Sequence, residues 1–134
     1  MTDNESLEKI ERLIDANLNR LREGIRVIED VNRYIHDDPL LTPRFKQLRH
    51  RIQDAYSPKR LVYRDIQNDI LKKTIPSELE RTSLDDIVIA NFSRTQESSR
   101  VLEESFKLND SSLSELFKSI RYELYDLEKL YFEK

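Results

Sequence analysis

The stretch "NLNRLREGIRVIED" at residues 17–30 decides the fold, because the chain contains a second version of it. The second version, "NFSRTQESSRVLEE" at residues 91–104, follows at a constant spacing of 74 residues. Six of the fourteen positions are identical: Asn17, Arg20, Glu23, Arg26, Val27 and Glu29 match Asn91, Arg94, Glu97, Arg100, Val101 and Glu103. The stretch therefore belongs to an internal repeat.

A second pair of segments extends the repeat. "KQLRHRI" at residues 46–52 matches "KSIRYEL" at residues 118–124, at a spacing of 72 residues, so that Arg49 corresponds to Arg121. Each half would then consist of a long helix followed by a shorter one. Because one amphipathic hairpin cannot bury its apolar face alone, we expect the two hairpins to pack against each other as a four-helix arrangement.

Composition supports an all-α fold. The 134 residues include only one Gly and four Pro, whereas sheets need turns that favour Gly. The length suits a single helical domain covering residues 1–134. We expect the first repeat over about 5–56, a long central loop over about 57–82, and the second repeat over about 83–133.

Apolar residues at spacings of three and four predict the individual helices. The predicted spans are 4–35, 42–56, 84–108 and 113–132. Predicted start signals are Thr42 before Pro43, Ser83 with Asp86, and Ser112 with Glu115. Ser57 before Pro58 predicts a further short helical turn.

Charge and residue usage exclude several functions. The formal net charge of −3 argues against a nucleic-acid binder. The absence of Cys excludes disulfides and thiolate metal sites, and two His make a zinc site improbable. The acidic N-terminus does not resemble a signal peptide, and no apolar run reaches about 18 residues, the length of a membrane span. We expect a cytoplasmic protein without a membrane segment.

Asn17 and Asn91 lie within apolar stripes, where a buried amide without partners costs about 1–3 kcal/mol. Two interpretations remain open. Each amide fixes helix register by bonding protein groups, or both line a pocket for a heterocycle with a pyrimidine-like edge. Gly24 and Ser98, seven residues further on, either permit close helix packing or leave space for a ligand.

Four repeated arginines accompany the two amides: Arg20, Arg94, Arg49 and Arg121. Taken singly, each is explained by an ion pair with an acid such as Glu23 or Glu97. Taken as a symmetric set, the planar guanidinium groups suit an anion site for phosphate. In that case the repeated glutamates would orient the arginines.

The central loop carries a second group of charged residues. Arg64 and Asp65 are followed by Asp69 in "RDIQND", and two carboxylates near cations could hold Mg²⁺ against a phosphate. The alternative is that the two aspartates only form turns. No Gly-rich phosphate loop is present, so any ATP would be bound without that motif.

The quoted motifs resemble a known family. "DANLNRLREGIRVIEDVNRY", "RDIQND", "ANFSRTQESSRVLEE" and "IRYELYDLEKLY" are similar to the small helical domain that is often fused to bacterial thiamine-phosphate synthase. The resemblance implies a hydroxymethylpyrimidine phosphate kinase, which uses ATP and Mg²⁺ to make the diphosphate from the monophosphate. The chain departs from the family loop at Leu71, where a Gly is expected.

The resemblance also implies roles for the residues above. Asn17 and Asn91 would line the pyrimidine pocket, and Arg20, Arg94, Arg49 and Arg121 would hold phosphates. Asp65 and Asp69 would bind the metal and, with Arg64, take part in catalysis.

Two other functions compete with the kinase. The chain could be a helical module that binds a phosphorylated metabolite or docks onto thiamine-phosphate synthase without catalysis. It could also be a structural dimerisation domain, and the sequence leaves open whether a homodimer forms.

Overall fold

The computed structural model describes residues 3–73 and 80–134, and it is all-α over those ranges. The first helix, α1 (Asp3–Asp30), continues into a π-helical turn (Val31–Ile35), so the predicted span of 4–35 is confirmed. The wider π turn was not predicted. Within it the Asn32 side chain donates to the Ile28 carbonyl at 2.9 Å, which satisfies one backbone acceptor near the disturbed ladder.

Helix α2 (Leu41–Arg51) ends in a 3₁₀ turn (Ile52–Ala55). The predicted N-cap at Thr42 is wrong by two residues, because the helix begins after Leu40 and Asp38 supplies the side chain that caps it. Its carboxylate accepts the backbone N–H groups of Leu40 and Leu41, both at 2.8 Å. An ionised acceptor satisfies these free donors better than a neutral hydroxyl does.

Helix α3 (Leu84–Phe106) begins as predicted, with the Ser83 hydroxyl accepting the Asp86 N–H at 3.1 Å. Helix α4 (Ser111–Glu133) begins earlier than predicted. Its cap is Asp110, which accepts the Leu113 N–H, whereas Ser112 only donates its hydroxyl to Asp110. The predicted capping box at Ser112 is therefore wrong, again because a carboxylate takes the cap position.

The two halves form hairpins, α1 with α2 and α3 with α4, that meet where α1 packs along α3. Four fully buried phenylalanines, Phe45, Phe92, Phe106 and Phe117, occupy the core between the hairpins. Burial of such a side chain contributes about 1.5–3 kcal/mol. The predicted four-helix arrangement of duplicated hairpins is confirmed, and it brings both repeated segments to the α1–α3 contact.

The central loop is partly ordered against α1. A 3₁₀ segment (Pro58–Tyr63) begins at the predicted Ser57-Pro58 signal. Arg60 pairs with Glu11 at 2.6 Å and Arg64 with Asp15 at 2.8 Å, so two cations four residues apart meet two acids four residues apart. These two ion pairs hold the loop on α1. The rest of the predicted loop includes residues 74–79, which lie outside the described residues.

Within the described ranges, no helix combines the length and the apolar character that a membrane crossing requires.

Candidate functional site

A groove of about 360 Å³ lies where α1 crosses α3, and we call it the Asn17 groove. Both repeated segments contribute to it. Its lining residues are Asn17, Arg20, Ala90, Ser93, Arg94, Glu97, Ser98 and Val101. Three of the predicted substrate-binding residues, Asn17, Arg20 and Arg94, are therefore brought together.

The two predicted amides do not share one groove. Asn91 lines a separate groove further along the same crossing. The separation follows from helix direction: Asn17 lies beside Ser98 and Val101, while Gly24 faces Arg94, so α1 and α3 run antiparallel. Repeated residues therefore lie at opposite ends of the contact and not opposite each other.

Each amide bonds its own helix. Asn17 Nδ2 donates to the Leu13 carbonyl at 3.0 Å, and Asn91 Nδ2 donates to the Ile87 carbonyl at 2.8 Å. Asn17 is 2% exposed, and its Oδ1 has no hydrogen-bond partner. An orphaned buried acceptor costs about 1–3 kcal/mol. Because this oxygen belongs to a groove-lining side chain, a donor on a ligand would remove that cost.

Arg20 and Arg94 supply the positive charge of the Asn17 groove. Both side chains are exposed, and neither makes a hydrogen bond or ion pair with the residues that the structure describes. Arg26 and Arg100, their neighbours on the same helices, do pair with acids. Two unpaired guanidinium groups in one groove are suited to an anion, and phosphate matches their planar geometry.

Gly24 and Ser98 have different tasks. A Cβ on Gly24 would lie 2.6 Å from Thr95 Cγ2, so the glycine permits the close approach of α1 and α3. Ser98 lines the Asn17 groove and donates its hydroxyl to the Arg94 carbonyl at 2.8 Å. The small residues were expected either to permit close helix packing or to leave space for a ligand. Gly24 permits close packing.

Arg49 and Arg121 are not among the residues of the groove. Arg49 donates two hydrogen bonds to Glu29, at 2.5 and 2.8 Å. Arg121 also donates two hydrogen bonds to its acid, but both go to Glu103 Oε1, at 3.2 and 2.9 Å. Glu29 and Glu103 are 2% and 5% exposed, so each arginine neutralises a buried acid inside its own hairpin. The four arginines thus divide into two that pair with buried acids and two that have no such partner within residues 3–73 and 80–134.

The loop residues surround a smaller pocket of about 140 Å³, which we call the loop pocket. It brings together all three predicted catalytic residues, Arg64, Asp65 and Asp69, with groups from α1. The α1 residues are Arg12, Asp15, Ala16 and Asn19, and Ile66 completes the lining. The predicted cluster of loop charges is therefore a spatial cluster beside α1.

Arg64 forms a bidentate ion pair with Asp15. Its Nε and Nη2 donate to the two carboxylate oxygens at 2.8 and 2.9 Å, and this bonding raises the pKa of the Arg64 guanidinium. Arg12 Nη2 donates to the Asp65 carbonyl at 2.9 Å. Both arginines therefore position the loop, and the acids Asp65 and Asp69 remain at its surface.

The two loop aspartates make local turns. Asp65 accepts the Asn68 N–H at 3.1 Å and the Asn68 side-chain amide at 2.7 Å, and these bonds lower the pKa of Asp65. Asp69 accepts the Leu71 N–H at 2.9 Å. Residues 3–73 and 80–134 contain no group of three or more acids or imidazoles that could hold a metal. Two carboxylates with unused lone pairs still fit Mg²⁺, which usually takes one or two carboxylates plus water and phosphate.

The loop pocket and the Asn17 groove adjoin on α1. Ala16 lines the pocket and Arg20 the groove, and residues four apart on a helix are neighbours at about 5–6 Å. A ligand phosphate held by Arg20 would therefore lie on the side of α1 that carries the loop acids. This juxtaposition was not evident from the sequence.

Sequence patterns missed Asp15 and Arg12. Asp15 is 8% exposed, which is unusual for an acid and follows from its pairing with Arg64. A usable signal was present, because the spacing of Glu11 and Asp15 matches that of Arg60 and Arg64. Ser98 was named in the sequence analysis only because the repeat aligns it with Gly24.

A family model, the ThiD2 family, matches residues 12–130, and the chain belongs to that family. Among curated proteins, the thiamine-phosphate synthase of Thermosynechococcus vestitus is 38% identical over 91% of this chain and 35% of its own length. The thiamine-phosphate synthase of Synechococcus sp. strain CC9605 is 41% identical over 90% of this chain and 34% of its own. The chain spans about a third of these relatives, and no solved structure matches it significantly. These matches connect the chain to thiamine biosynthesis.

Proposed function

We propose that the chain is a phosphotransferase that converts hydroxymethylpyrimidine monophosphate to the diphosphate with ATP in thiamine biosynthesis. The observation that carries the proposal is the Asn17 groove, where two unpaired arginines and an unpartnered amide oxygen meet. Membership in the ThiD2 family supports the same reaction class.

The acceptor would bind across the groove. Its exocyclic amino group donates to Asn17 Oδ1, and its phosphate is held by Arg20 and Arg94. The Asn17 oxygen has almost no solvent contact, so a groove side chain moves aside when the ring enters. The exposed, unpaired Arg20 is able to make such a movement.

Phosphoryl transfer requires positioning and charge neutralisation more than covalent chemistry. An acceptor phosphate oxygen attacks the γ-phosphorus, the bond from that phosphorus to the β–γ bridging oxygen breaks, and ADP leaves with the electron pair. The acceptor is already an anion near pH 7, so no general base is required. Asp65 and Asp69 would hold Mg²⁺, which supplies further neutralisation of the triphosphate when bound. Arg64 positions these acids through its bond to Asp15.

The same arrangement implies selectivity for the phosphorylated acceptor. Without the acceptor phosphate, Arg20 and Arg94 line the groove with one acid, Glu97, and neither arginine is ion-paired within the described residues. A site built for a charged group discriminates strongly against an analogue that lacks it. Free hydroxymethylpyrimidine should therefore be a poor substrate.

A coupled assay tests the proposal with ATP, Mg²⁺ and hydroxymethylpyrimidine monophosphate, with diphosphate formation as the readout. We expect turnover with the monophosphate and at most a trace with the unphosphorylated pyrimidine. Asp69→Asn should lower kcat, whereas Asp54→Asn, an exposed acid outside the loop pocket, should not. Absence of diphosphate at high enzyme concentration overturns the proposal.

One observation favours a second function, docking onto a thiamine-phosphate synthase. The loop exposes five apolar side chains, Leu61, Val62, Ile66, Ile70 and Leu71. The curated relatives are about three times as long as this chain, so their matching region is joined to other protein surfaces. Co-migration of the chain with a separately expressed synthase in size-exclusion chromatography, lost in Ile70→Ser, would support docking. Independent elution of the two wild-type proteins would contradict it.

A further inference from the structure

A second groove, of about 320 Å³, lies next to the Asn17 groove on α3, and we call it the Arg81 groove. Its lining residues are Val27, Arg81, Ile87, Ala90, Asn91 and Arg94. The acids of the first turn of α3, Asp85 and Asp86, do not line it. The charge on its walls is therefore positive.

The Arg81 groove is the repeat counterpart of the Asn17 groove. Asn91, Arg94 and Val27 correspond to Asn17, Arg20 and Val101, so each groove has an amide, an arginine and a valine. Arg81 is an addition, because the residue at the corresponding position of the first half is Leu7. The second groove thus repeats the polar groups of the first and adds a cation.

The two grooves share Ala90 and Arg94. Among the residues that the structure describes, Arg94 makes no ion pair, and the one hydrogen bond that the Arg81 side chain makes is to the neighbouring Glu80 carbonyl, at 2.7 Å. Three guanidinium groups, Arg20, Arg94 and Arg81, therefore extend across both grooves with Arg94 common to the two. A longer row of charges suits a longer anion than one phosphate.

In-line phosphoryl transfer needs donor and acceptor phosphates side by side, with positive charge at the transferred group. Two adjoining grooves that share one unpaired arginine meet this requirement. The groove with the additional cation is the better match for the more highly charged ligand.

We propose that the Arg81 groove holds the polyphosphate chain of the nucleoside triphosphate donor. Arg81 contacts the phosphates nearest the nucleoside, and Arg94 contacts the γ-phosphoryl group as it passes to the acceptor in the Asn17 groove. The Asn91 side chain donates a hydrogen bond to the nucleoside end of the ligand through its amide N–H, or accepts one from it through its amide oxygen. This assignment rests on the proposed phosphotransferase function and adds the location of its donor site.

Calorimetric titration with a non-hydrolysable β,γ-imido ATP analogue and Mg²⁺, without acceptor, tests the assignment. We expect Arg81→Gln to weaken the binding of the analogue at least tenfold. Its affinity for the pyrimidine phosphate should stay within twofold of that of the wild type. Arg100→Gln is the matched control, an equally exposed arginine of α3 outside the groove, and should change neither affinity more than twofold. Inorganic triphosphate is a second probe and should show the same dependence on Arg81. Melting temperatures establish that the variants are folded.

Several outcomes would overturn the assignment. The first is that Arg81→Gln binds the ATP analogue as tightly as the wild type does. The second is that Arg81→Gln and Arg100→Gln lose equal affinity for the analogue. The third is that the wild type does not bind the analogue. Two pyrimidine phosphates bound per chain would also overturn it, because the second groove would then be an acceptor site. If diphosphate forms but analogue binding does not depend on Arg81, only this inference is wrong. If analogue binding depends on Arg81 but no diphosphate forms, only the phosphotransferase proposal is wrong.

Discussion

The two halves of the molecule are alike in their supporting ion pairs and unlike in the loop that packs on the first of them. Glu29 with Arg49 and Glu103 with Arg121 form the same buried contact in each hairpin. The loop pocket has no such counterpart among the residues that the structure describes. Asp15, which anchors the loop in the first half, corresponds to Ile89, whose side chain is 47% exposed.

The difference indicates how a duplicated hairpin becomes an asymmetric site. The ion pairs were retained in both copies because each hairpin needs a partner for its buried acid. The surface of α1 beside Asn17 carries two acids, Glu11 and Asp15, that hold a basic loop, whereas α3 has an acid, Asp85, at the first of the two matching positions and Ile89 at the second. We therefore expect stability to respond equally to changes in the two halves, and ligand binding to respond unequally.

The largest effect should come from the supporting ion pairs. Arg49→Ala leaves the buried Glu29 with only the long 3.9 Å contact to the exposed Arg26, and we expect a loss of about 3 kcal/mol in the free energy of unfolding. Arg121→Ala should cause a similar loss through Glu103. Denaturant unfolding measures both. The double change Glu29→Met with Arg49→Met is the control and should recover most of the stability. Unchanged stability together with lost ligand affinity in Arg49→Ala would instead make this arginine a phosphate ligand.

The next effect concerns the free arginines. Arg94→Gln removes charge-assisted bonds worth about 1.5–3 kcal/mol, so kcat/KM for diphosphate formation should fall roughly 100-fold. Arg20→Gln should mainly raise KM for the pyrimidine phosphate. The same exchange at Arg26, which already pairs with Asp30, is the control and should leave kcat/KM within about twofold. Equal losses at Arg26 and Arg94 would show that only overall charge matters.

A smaller effect should come from the helix crossing. Gly24→Ala places a methyl group against Thr95 Cγ2, and overpacking of about 1–3 kcal/mol exceeds the gain of about 1 kcal/mol in helix propensity. We expect a net loss of about 1 kcal/mol in thermal or denaturant unfolding. Thr95→Ser removes Cγ2 and keeps the hydroxyl, so it should rescue Gly24→Ala. Additive losses in the double variant would contradict this close contact.

The smallest effect should be the pH dependence at the start of α2. Lys134 and the backbone N–H groups of α2 lower the pKa of Asp38 from its ordinary value of 3.8 to about 2. A lowered pKa stabilises the fold above pH 3.8, and this contribution is lost as the pH falls towards 2. Asp38→Asn should therefore cost below about 1 kcal/mol at neutral pH and nothing near pH 2. Asp54→Asn, whose carboxylate caps nothing in the described chain, should show no such dependence.

The sequence predicted the helices and the duplication because both depend on local, repeated patterns. The apolar stripe of α1 and the cap at Ser83 are examples. The starts of α2 and α4 were misplaced because two candidate caps lie close together in each case. Only the folded chain shows that Asp38 and Asp110 point at the free N–H groups.

The site was less accessible to sequence reasoning. The repeat identified Arg20, Arg49, Arg94 and Arg121 as related positions, but it does not show which of them already has a partner. That depends on burial of Glu29 and Glu103, a tertiary property. Likewise the amides at Asn17 and Asn91 were expected to share a pocket, and the antiparallel crossing separates them.

Calorimetric titration of hydroxymethylpyrimidine monophosphate into wild type, Asn17→Leu and Asn91→Leu tests the central claim most directly. If the Asn17 groove binds the acceptor, the wild type binds one equivalent, Asn17→Leu loses at least tenfold in affinity while remaining folded, and Asn91→Leu binds as the wild type does. Equal affinity in all three proteins, or equal losses in both variants, would contradict the claim.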